Sequence, residues 1–235
     1  MYKPNTSNRA ARLVVAGGLV LTLGGCVSLL PKAPPVQTFQ VGRSPPPAAG
    51  GEALGGQGVA VVLTTVSLPR AATGDSILTI TGAETAYLAG ARWSAPAAVM
   101  VQEDAQSAFN AHPGPVRLLH RSDFAGAQAL LSLDLADFEA RYDNGAGVPP
   151  VVVVSIRATL NKPTGEALAS QTFTVRQPAV DNRIAPIAAA FDMATNQALG
   201  LVVAWTNGQA SLIPPSPKAT MTTTSTTTSS TTTPR

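Results

Sequence analysis

The central part of the chain switches between two hydrophobic periods. Residues 59–68 form a run rich in β-branched side chains that ends at a proline, which predicts a strand. Residues 77–81 and 85–88 predict two shorter strands around a turn at Gly82. Short apolar runs bounded by proline or glycine are typical of strands rather than helices.

Two other segments have the period of a helix. Apolar residues recur at helical spacing in residues 96–111 and again in residues 184–205. Ser94 is predicted to cap the first helix, and the Pro-Gly-Pro sequence at 113–115 is predicted to end it. The second helix is long and apolar but contains interrupting polar residues, which favours a helix facing the core over a membrane span.

The longest strand is predicted between the two helices. Its leucines alternate through residues 127–142, but the phase slips before Phe138, which predicts a bulge. Glycine-rich turns separate it from two further strands, at 151–160 and 167–176. The order of elements therefore predicts an α+β fold: a mostly antiparallel sheet with two main helices packed on one face, in a single domain.

The N-terminus has the zones of a signal peptide. Lys3, Arg9 and Arg12 form a basic opening without an acidic residue, and residues 13–23 are almost wholly apolar. That run is shorter than the roughly 20 apolar residues needed to cross a bilayer, but it suits a signal-peptide core. The sequence LGGC at 23–26 follows and resembles the lipobox that the lipoprotein signal peptidase reads.

Cys26 is the only cysteine of the chain, and it falls at the exit of the apolar run. We predict cleavage before Cys26 and a diacylglycerol thioether on its sulfur, so the only cofactor expected is this covalent lipid. The alternative is an ordinary secretory peptide with an incidental cysteine, but no A-x-A-like site lies nearby. Two or more acyl chains anchor a protein stably, and resemblance to bacterial lipoproteins implies three.

Ser28 bears on which membrane carries the anchor. By the same resemblance, an aspartate at this position would retain a lipoprotein in the inner membrane, whereas this chain has serine. We therefore expect the outer membrane, on its periplasmic face.

Four regions are predicted along the chain. They are a signal peptide (1–25), a lipidated N-terminus with a Pro/Gly-rich tether (26–58), the folded domain (59–207) and a disordered Pro/Thr/Ser-rich tail (208–235). Within the tether, only residues 36–42 alternate like a short strand.

The charge of the chain excludes one class of partner. The formal net charge of +3 equals the contribution of the three basic residues in the signal peptide. The remainder carries 13 basic and 13 acidic residues, because all the other charged residues lie after residue 25. No basic patch with interleaved aromatic residues is present, so nucleic acid is not an expected partner.

The sequence lacks a recognisable catalytic or metal-binding motif. His112 and His120, the only histidines, lack metal-ligand spacing with cysteine or carboxylates. One acidic cluster could perform acid–base chemistry, as in a hydrolase, but a solvated face with local charge balance is favoured. Its residues are Asp134, Asp137, Glu139 and Asp143. We therefore do not expect an enzyme.

Tyr87, Arg92 and Trp93 are the candidate partner or ligand surface. They belong to the segment YLAGARW, which places an aromatic residue, a small-residue turn and an Arg-Trp pair just before the first helix. The favoured alternative is structural: Tyr87 and Trp93 would pack the strand–helix junction, with Arg92 stacked or capping.

The chain resembles the ABC-type transport auxiliary lipoproteins of the paraquat-inducible protein C type over roughly residues 31–205. Four features in the same order carry the resemblance. They are the Pro-rich opening at 34–35, YLAGARWSAP at 87–96, DFEARYD at 137–143, and the helix from AAFD at 189–192 to Trp205. The Gly-rich insert before residue 59 and the Thr-rich tail depart from the pattern but leave these segments intact.

The resemblance implies a role in transport. Members of the family serve systems in which an ABC permease and an MCE-domain protein move lipids or other hydrophobic molecules across the periplasm. It implies that this chain docks that system at the outer membrane, as a monomer or a homo-oligomer. A scaffolding or regulatory lipoprotein for an envelope enzyme or assembly machine is the alternative function.

Overall fold

The structure, a computed structural model, describes residues 35–41, 58–119 and 121–214. These ranges contain eight strands and two α-helices, named here in chain order. They are β1 (Gln37–Phe39), β2 (Val59–Ser67), β3 (Ser76–Thr81), β4 (Glu84–Trp93), α1 (Ala97–Ala111), β5 (Val116–Leu119), β6 (Ala129–Arg141), β7 (Val151–Asn161), β8 (Ala167–Pro178) and α2 (Ile184–Gly208). The signal peptide, Cys26, most of the tether, His120 and residues 215–235 lie outside the described residues.

β6 is the central strand of the sheet. Its whole length pairs with β7, and β7 pairs with β8. The opposite edge of β6 is shared: β2 pairs with its first half and β3 with its last residues. β5 lies outside β2, while β4 and then β1 lie outside β3. The sheet therefore divides into two branches on one side of β6.

The α+β fold is confirmed, but the sheet is mixed. Four of the seven strand pairings in the described residues are parallel. The two longest pairings, β6–β7 and β7–β8, are antiparallel because each is a hairpin. The chain leaves β2 at Ser67 and returns at Ser76 in the same direction, so β2 and β3 both run parallel to β6.

The bulge predicted before Phe138 is confirmed. Leu135 pairs with Ile156, whereas Asp137 pairs with Ser155, so Ala136 is the extra residue of β6. Inward-facing residues then continue in the shifted phase with Phe138, which is buried. The bulge keeps the buried face of a long, twisted strand aligned with the core.

Both helices pack on the same face of the sheet, as predicted, and they also contact each other. α1 lies against β2 and β5, and α2 lies against β7 and β8. The predicted cap of α1 by Ser94 is wrong: Pro96 occupies the N-cap position, and no side chain caps the helix. The Ser94 hydroxyl instead lies 3.8 Å from the sulfur of Met100.

α2 is the one helix in the described ranges that is long and apolar enough to cross a membrane. More than half of its most apolar stretch is buried within the protein. Its buried residues recur at helical spacing and face β7 and β8. They include Ile187, Phe191, Ala194, Ala198 and Val202.

Three aromatic rings join the helical layer to the sheet. Trp93 of β4, Phe138 of β6 and Phe191 of α2 are all buried. The centroid of the Phe191 ring lies 5.2 Å from that of Trp93 and 5.1 Å from that of Phe138. Edge-to-face and tilted rings at such separations add stabilisation beyond the burial of their area. This aromatic cluster therefore connects the β3–β4 branch, the central strand and α2.

Residues beyond the predicted boundaries of the domain also belong to the fold. Val41 is buried in the core immediately after β1, and Ile213 is buried after a 3₁₀ turn at Ala210–Leu212. The side-chain amide of Gln128 donates a hydrogen bond of 3.0 Å to the carbonyl of Pro214. The folded unit thus extends on both sides of the predicted range 59–207.

Candidate functional site

The segment predicted to contain a small-residue turn is instead continuous strand with an irregularity. Ser76 pairs with Arg92 and Leu78 with Tyr87, so β4 advances five residues while β3 advances two. Gly90 has φ +73°, a left-handed conformation that favours glycine. A glycine at this position lets β4 absorb the extra residues without ending.

Tyr87 and Arg92 are exposed, and each makes a contact with the segment between β2 and β3. The hydroxyl of Tyr87, a residue 52% exposed, donates to the carbonyl of Ala71 at 3.2 Å. Nη1 of Arg92 donates to both carboxylate oxygens of Asp75, at 2.8 and 3.0 Å. An ion pair this exposed contributes about 0–1 kcal/mol, so Arg92 retains the capacity to contact a partner.

Trp93 lies on the other side of β4 and is only 2% exposed. Because successive strand residues point to opposite faces, Arg92 and Trp93 cannot line the same surface. The structure therefore leaves Tyr87 and Arg92 accessible and places Trp93 in the aromatic cluster. Arg92 was expected to stack on an aromatic ring or to cap the helix if this segment were purely structural. It instead forms an ion pair with Asp75.

Two of the four residues of the acidic cluster, Glu139 and Asp143, are paired with arginines. Arg141 donates to Glu139 at 3.1 Å and to Asp143 at 3.4 Å, and Arg176 reaches Asp143 at 3.4 Å. Burial, followed by repulsion from Asp137, raises the pKa of Glu139, while Arg141 opposes that shift. The arrangement is a chain of charge-balancing contacts on the face of the sheet away from the helices.

His112 is bound within its own helix. Nδ1 of His112 donates to the carbonyl of Ala108 at 3.0 Å, within its own helix end. Over residues 35–41, 58–119 and 121–214, no three histidine, cysteine or acidic side chains lie close enough to share a metal ion.

Asp104 is a buried carboxyl that the sequence analysis did not single out. It lies in α1, and its Oδ2 is buried without a hydrogen-bond partner. Burial, followed by repulsion from Asp192 and Glu103, raises the pKa of Asp104 from 3.8 to about 7. Asp104 is three residues from Val101 and four from Ala108, and residues at these spacings share a helix face. This spacing is the feature of the sequence that indicates burial of Asp104.

We expect Asp104→Asn to stabilise the protein above pH 7. The folded protein binds this proton more tightly than the unfolded chain does, so stability falls as the pH rises from about 4 to about 7. Asparagine is neutral and similar in shape, so the variant should gain on the order of 1–3 kcal/mol near pH 8. Urea unfolding at about pH 5 and about pH 8 measures both the gain and the flatter pH dependence.

Asp123→Asn is the matched control, because Asp123 is exposed. It should change the free energy of unfolding little at either pH. An Asp104→Asn protein that is no more stable than the wild type at pH 8 would contradict the assignment of Asp104 as a buried, destabilising charge.

The comparisons with known proteins agree with this fold. The sequence profile of the ABC-type transport auxiliary lipoprotein component matches residues 42–202. The crystal structure of protein XCC0632 from Xanthomonas campestris, a DUF330 protein, superposes with a TM-score of 0.60 at 25% identity, covering 74% of this chain and 96% of that one. A crystal structure of an uncharacterised protein gives a TM-score of 0.57 at 15% identity, covering 74% of this chain and 99% of that one.

No curated protein sequence matches. With a profile match over most of its length, this chain belongs to the family of ABC-type transport auxiliary lipoprotein components.

Proposed function

We propose that this protein is the outer-membrane docking component of an ABC transport system that moves lipids or other hydrophobic molecules across the periplasm. It would be anchored through Cys26 and would contact a periplasmic MCE-domain protein that works with the permease. The observation that carries the proposal is the family match over residues 42–202. The signal-peptide pattern that ends at Cys26 supports the proposed lipid anchor.

The organisation of the described residues suits a docking role. Glu139 of β6 and Asp143 just after it are paired with Arg141, and the buried carboxyl of Asp104 in α1 lies within range of the charge of Asp192 in α2. The exposed side chains of β4 are available for protein contacts, and we propose Tyr87 and Arg92 as part of the partner surface. Trp93 would support that surface only from within the core.

A pull-down of the detergent-solubilised protein tests the proposal. With a tag at the C-terminus, we expect mass spectrometry to find an MCE-domain protein and its ABC permease among the retained proteins. Recovery of a peptidoglycan synthase or a β-barrel assembly machine instead would support the scaffolding alternative and contradict the transport role.

Substitutions within the same pull-down test the proposed surface. Tyr87→Ala and Arg92→Ala should reduce recovery of the MCE-domain protein without changing the amount of folded lipoprotein. Phe124→Ala is a matched control, since Phe124 is an exposed aromatic residue in the 3₁₀ segment Arg121–Gly126, well away from β4 in the sequence. Equal recovery with all three variants would remove Tyr87 and Arg92 from the partner surface.

A further inference from the structure

One end of the sheet exposes two valines. It is formed by the β3–β4 turn at 82–83, the β6–β7 loop at 142–150 and the β8–α2 loop at 179–183, and it is called the loop end here. Val180 is 90% exposed and Val148 is 43% exposed. Single exposed apolar side chains are common on protein surfaces, so these two valines are informative only if they share one surface.

The strand register places the three connections at one end. Ile80 pairs with Arg141, Arg141 with Val151, and Val151 with Pro178. These four residues therefore lie at the same level, and the connections that follow or precede them project beyond it. The backbone N–H of Tyr142 also donates to the carbonyl of Ile80 at 2.8 Å.

Hydrogen bonds hold the two valine-bearing loops together. Nδ2 of Asn182 donates to the carbonyl of Ala146 at 2.7 Å, and the hydroxyl of Tyr142 donates to Oδ1 of Asn182 at 3.0 Å. The N–H of Ala179 donates to the carbonyl of Pro150 at 2.9 Å. The valines are thus presented by a connected surface rather than by two independent loops.

The charged residues of these loops are paired within the protein. Asp143 contacts Arg141 and Arg176, and Asp181 contacts Arg183. Pairing lowers the cost of bringing these charges close to an apolar phase. The surface around the valines therefore suits contact with a bilayer interface through apolar side chains.

The chain enters β1 from the side of the loop end. β1 runs parallel to β4, and β4 begins just after the turn at the loop end, so the start of β1 faces that end. Gln37 pairs with Ala91, beside the pairing of Arg92 with Ser76. Gln37 therefore lies near the level of Ser76, which is four residues before Ile80. The start of β1 is thus about 13 Å from the level at which the loop end begins.

Chain length together with the direction of β1 favours the loop end over the opposite end of the sheet. Ten residues lead from Cys26 to Val36 and can span at most about 35 Å. The loop end is within easy reach of an anchor on such a segment. The opposite end lies about 40 Å from the loop end, the length of β6, and thus about 27 Å from the start of β1, so the segment would have to reverse its direction and extend over most of its length to reach it.

We propose that the loop end rests on the bilayer that carries the lipid anchor, with Val148 and Val180 entering the headgroup region. This inference rests on the acylation of Cys26, which belongs to the proposed function. The domain would then stand with the strands of its sheet roughly upright on the membrane and with the C-terminal end of α2 directed away from it.

Site-specific fluorescence on the acylated, full-length mature protein tests this orientation. Val148→Cys and Val180→Cys would each be labelled with an NBD probe, because acylation occupies the thiol of Cys26. The protein would be placed in vesicles of phosphatidylethanolamine and phosphatidylglycerol, with and without brominated acyl chains. Leu212→Cys is the control, since Leu212 is exposed beyond the end of α2 at the opposite end of the sheet.

We expect emission at shorter wavelength and quenching by brominated lipid at positions 148 and 180, but not at 212. Equal, unquenched emission at all three positions would overturn the proposal. A shift at 148 and 180 without lipid quenching would also overturn it, because a protein contact would then cover the loop end.

Mass spectrometry of the same samples separates this inference from the proposed function. If Cys26 carries lipid and the probes remain unquenched, only the orientation is wrong. If Cys26 carries no lipid, the anchor fails and the orientation fails with it. Near-ultraviolet circular dichroism confirms that each labelled variant keeps its fold.

Discussion

Cys26→Ser is expected to abolish membrane attachment and transport. Serine cannot form the thioether, so no acyl chain is added. Each buried CH₂ of an acyl chain contributes about 0.8 kcal/mol to membrane binding, and the whole of that contribution would be lost. Fractionation of cell envelopes should find the variant in the soluble periplasm or still attached through its uncleaved signal peptide.

Ser28→Asp is the matched control, because it keeps the acylation site and changes only the sorting position. We expect the Ser28→Asp protein to remain lipidated but to move from the outer to the inner membrane on a sucrose gradient. Full transport activity in cells whose Cys26→Ser protein is entirely soluble would contradict a need for the anchor.

Phe191→Ala is expected to lower the free energy of unfolding by about 3–5 kcal/mol, the usual cost of truncating a buried phenylalanine. Phe191 is fully buried and contacts the rings of Trp93 and Phe138, so the cavity would open where α2 meets two strands. For a domain of this size the midpoint of thermal unfolding should fall by about 6–20 °C.

Phe124→Ala makes the same chemical change at an exposed position and should shift the midpoint little. Circular dichroism melts of the two variants beside the wild type provide the comparison. Similar melting temperatures for the Phe191→Ala protein and the wild type would show that the aromatic cluster does not hold α2 to the sheet.

Local periodicity carried most of the information about the elements. Alternation in residues 127–142 predicted β6, and the slip before Phe138 predicted its bulge, because burial of one face imposes a period of two. Helical spacing likewise predicted α1 and α2 to within a few residues. The strand predicted at 85–88 in fact continues to Trp93. A glycine at position 90 is typical of a turn, but here it adopts a left-handed conformation within an irregular strand.

The candidate site could be predicted only in part. The sequence grouped Tyr87, Arg92 and Trp93, but proximity along a strand does not place side chains on one face. The sequence does not distinguish Asp104 from its acidic neighbour Glu103, although the helix turns 100° between the two and points them in different directions. Tertiary packing of α1, not the local sequence, buries Asp104, and burial together with the nearby charge of Asp192 in α2 raises its pKa.

The sequence by itself determined the signal peptide pattern, the single cysteine available for acylation, and the order and type of the elements. Each of these is encoded by neighbouring residues. The tertiary structure decided that β2 and β3 share one edge of β6, that Trp93 is buried while Arg92 is exposed, and that Val148 and Val180 lie at the same end. These features depend on pairing between residues far apart in the chain, where strand direction and register are set by the packed core as a whole.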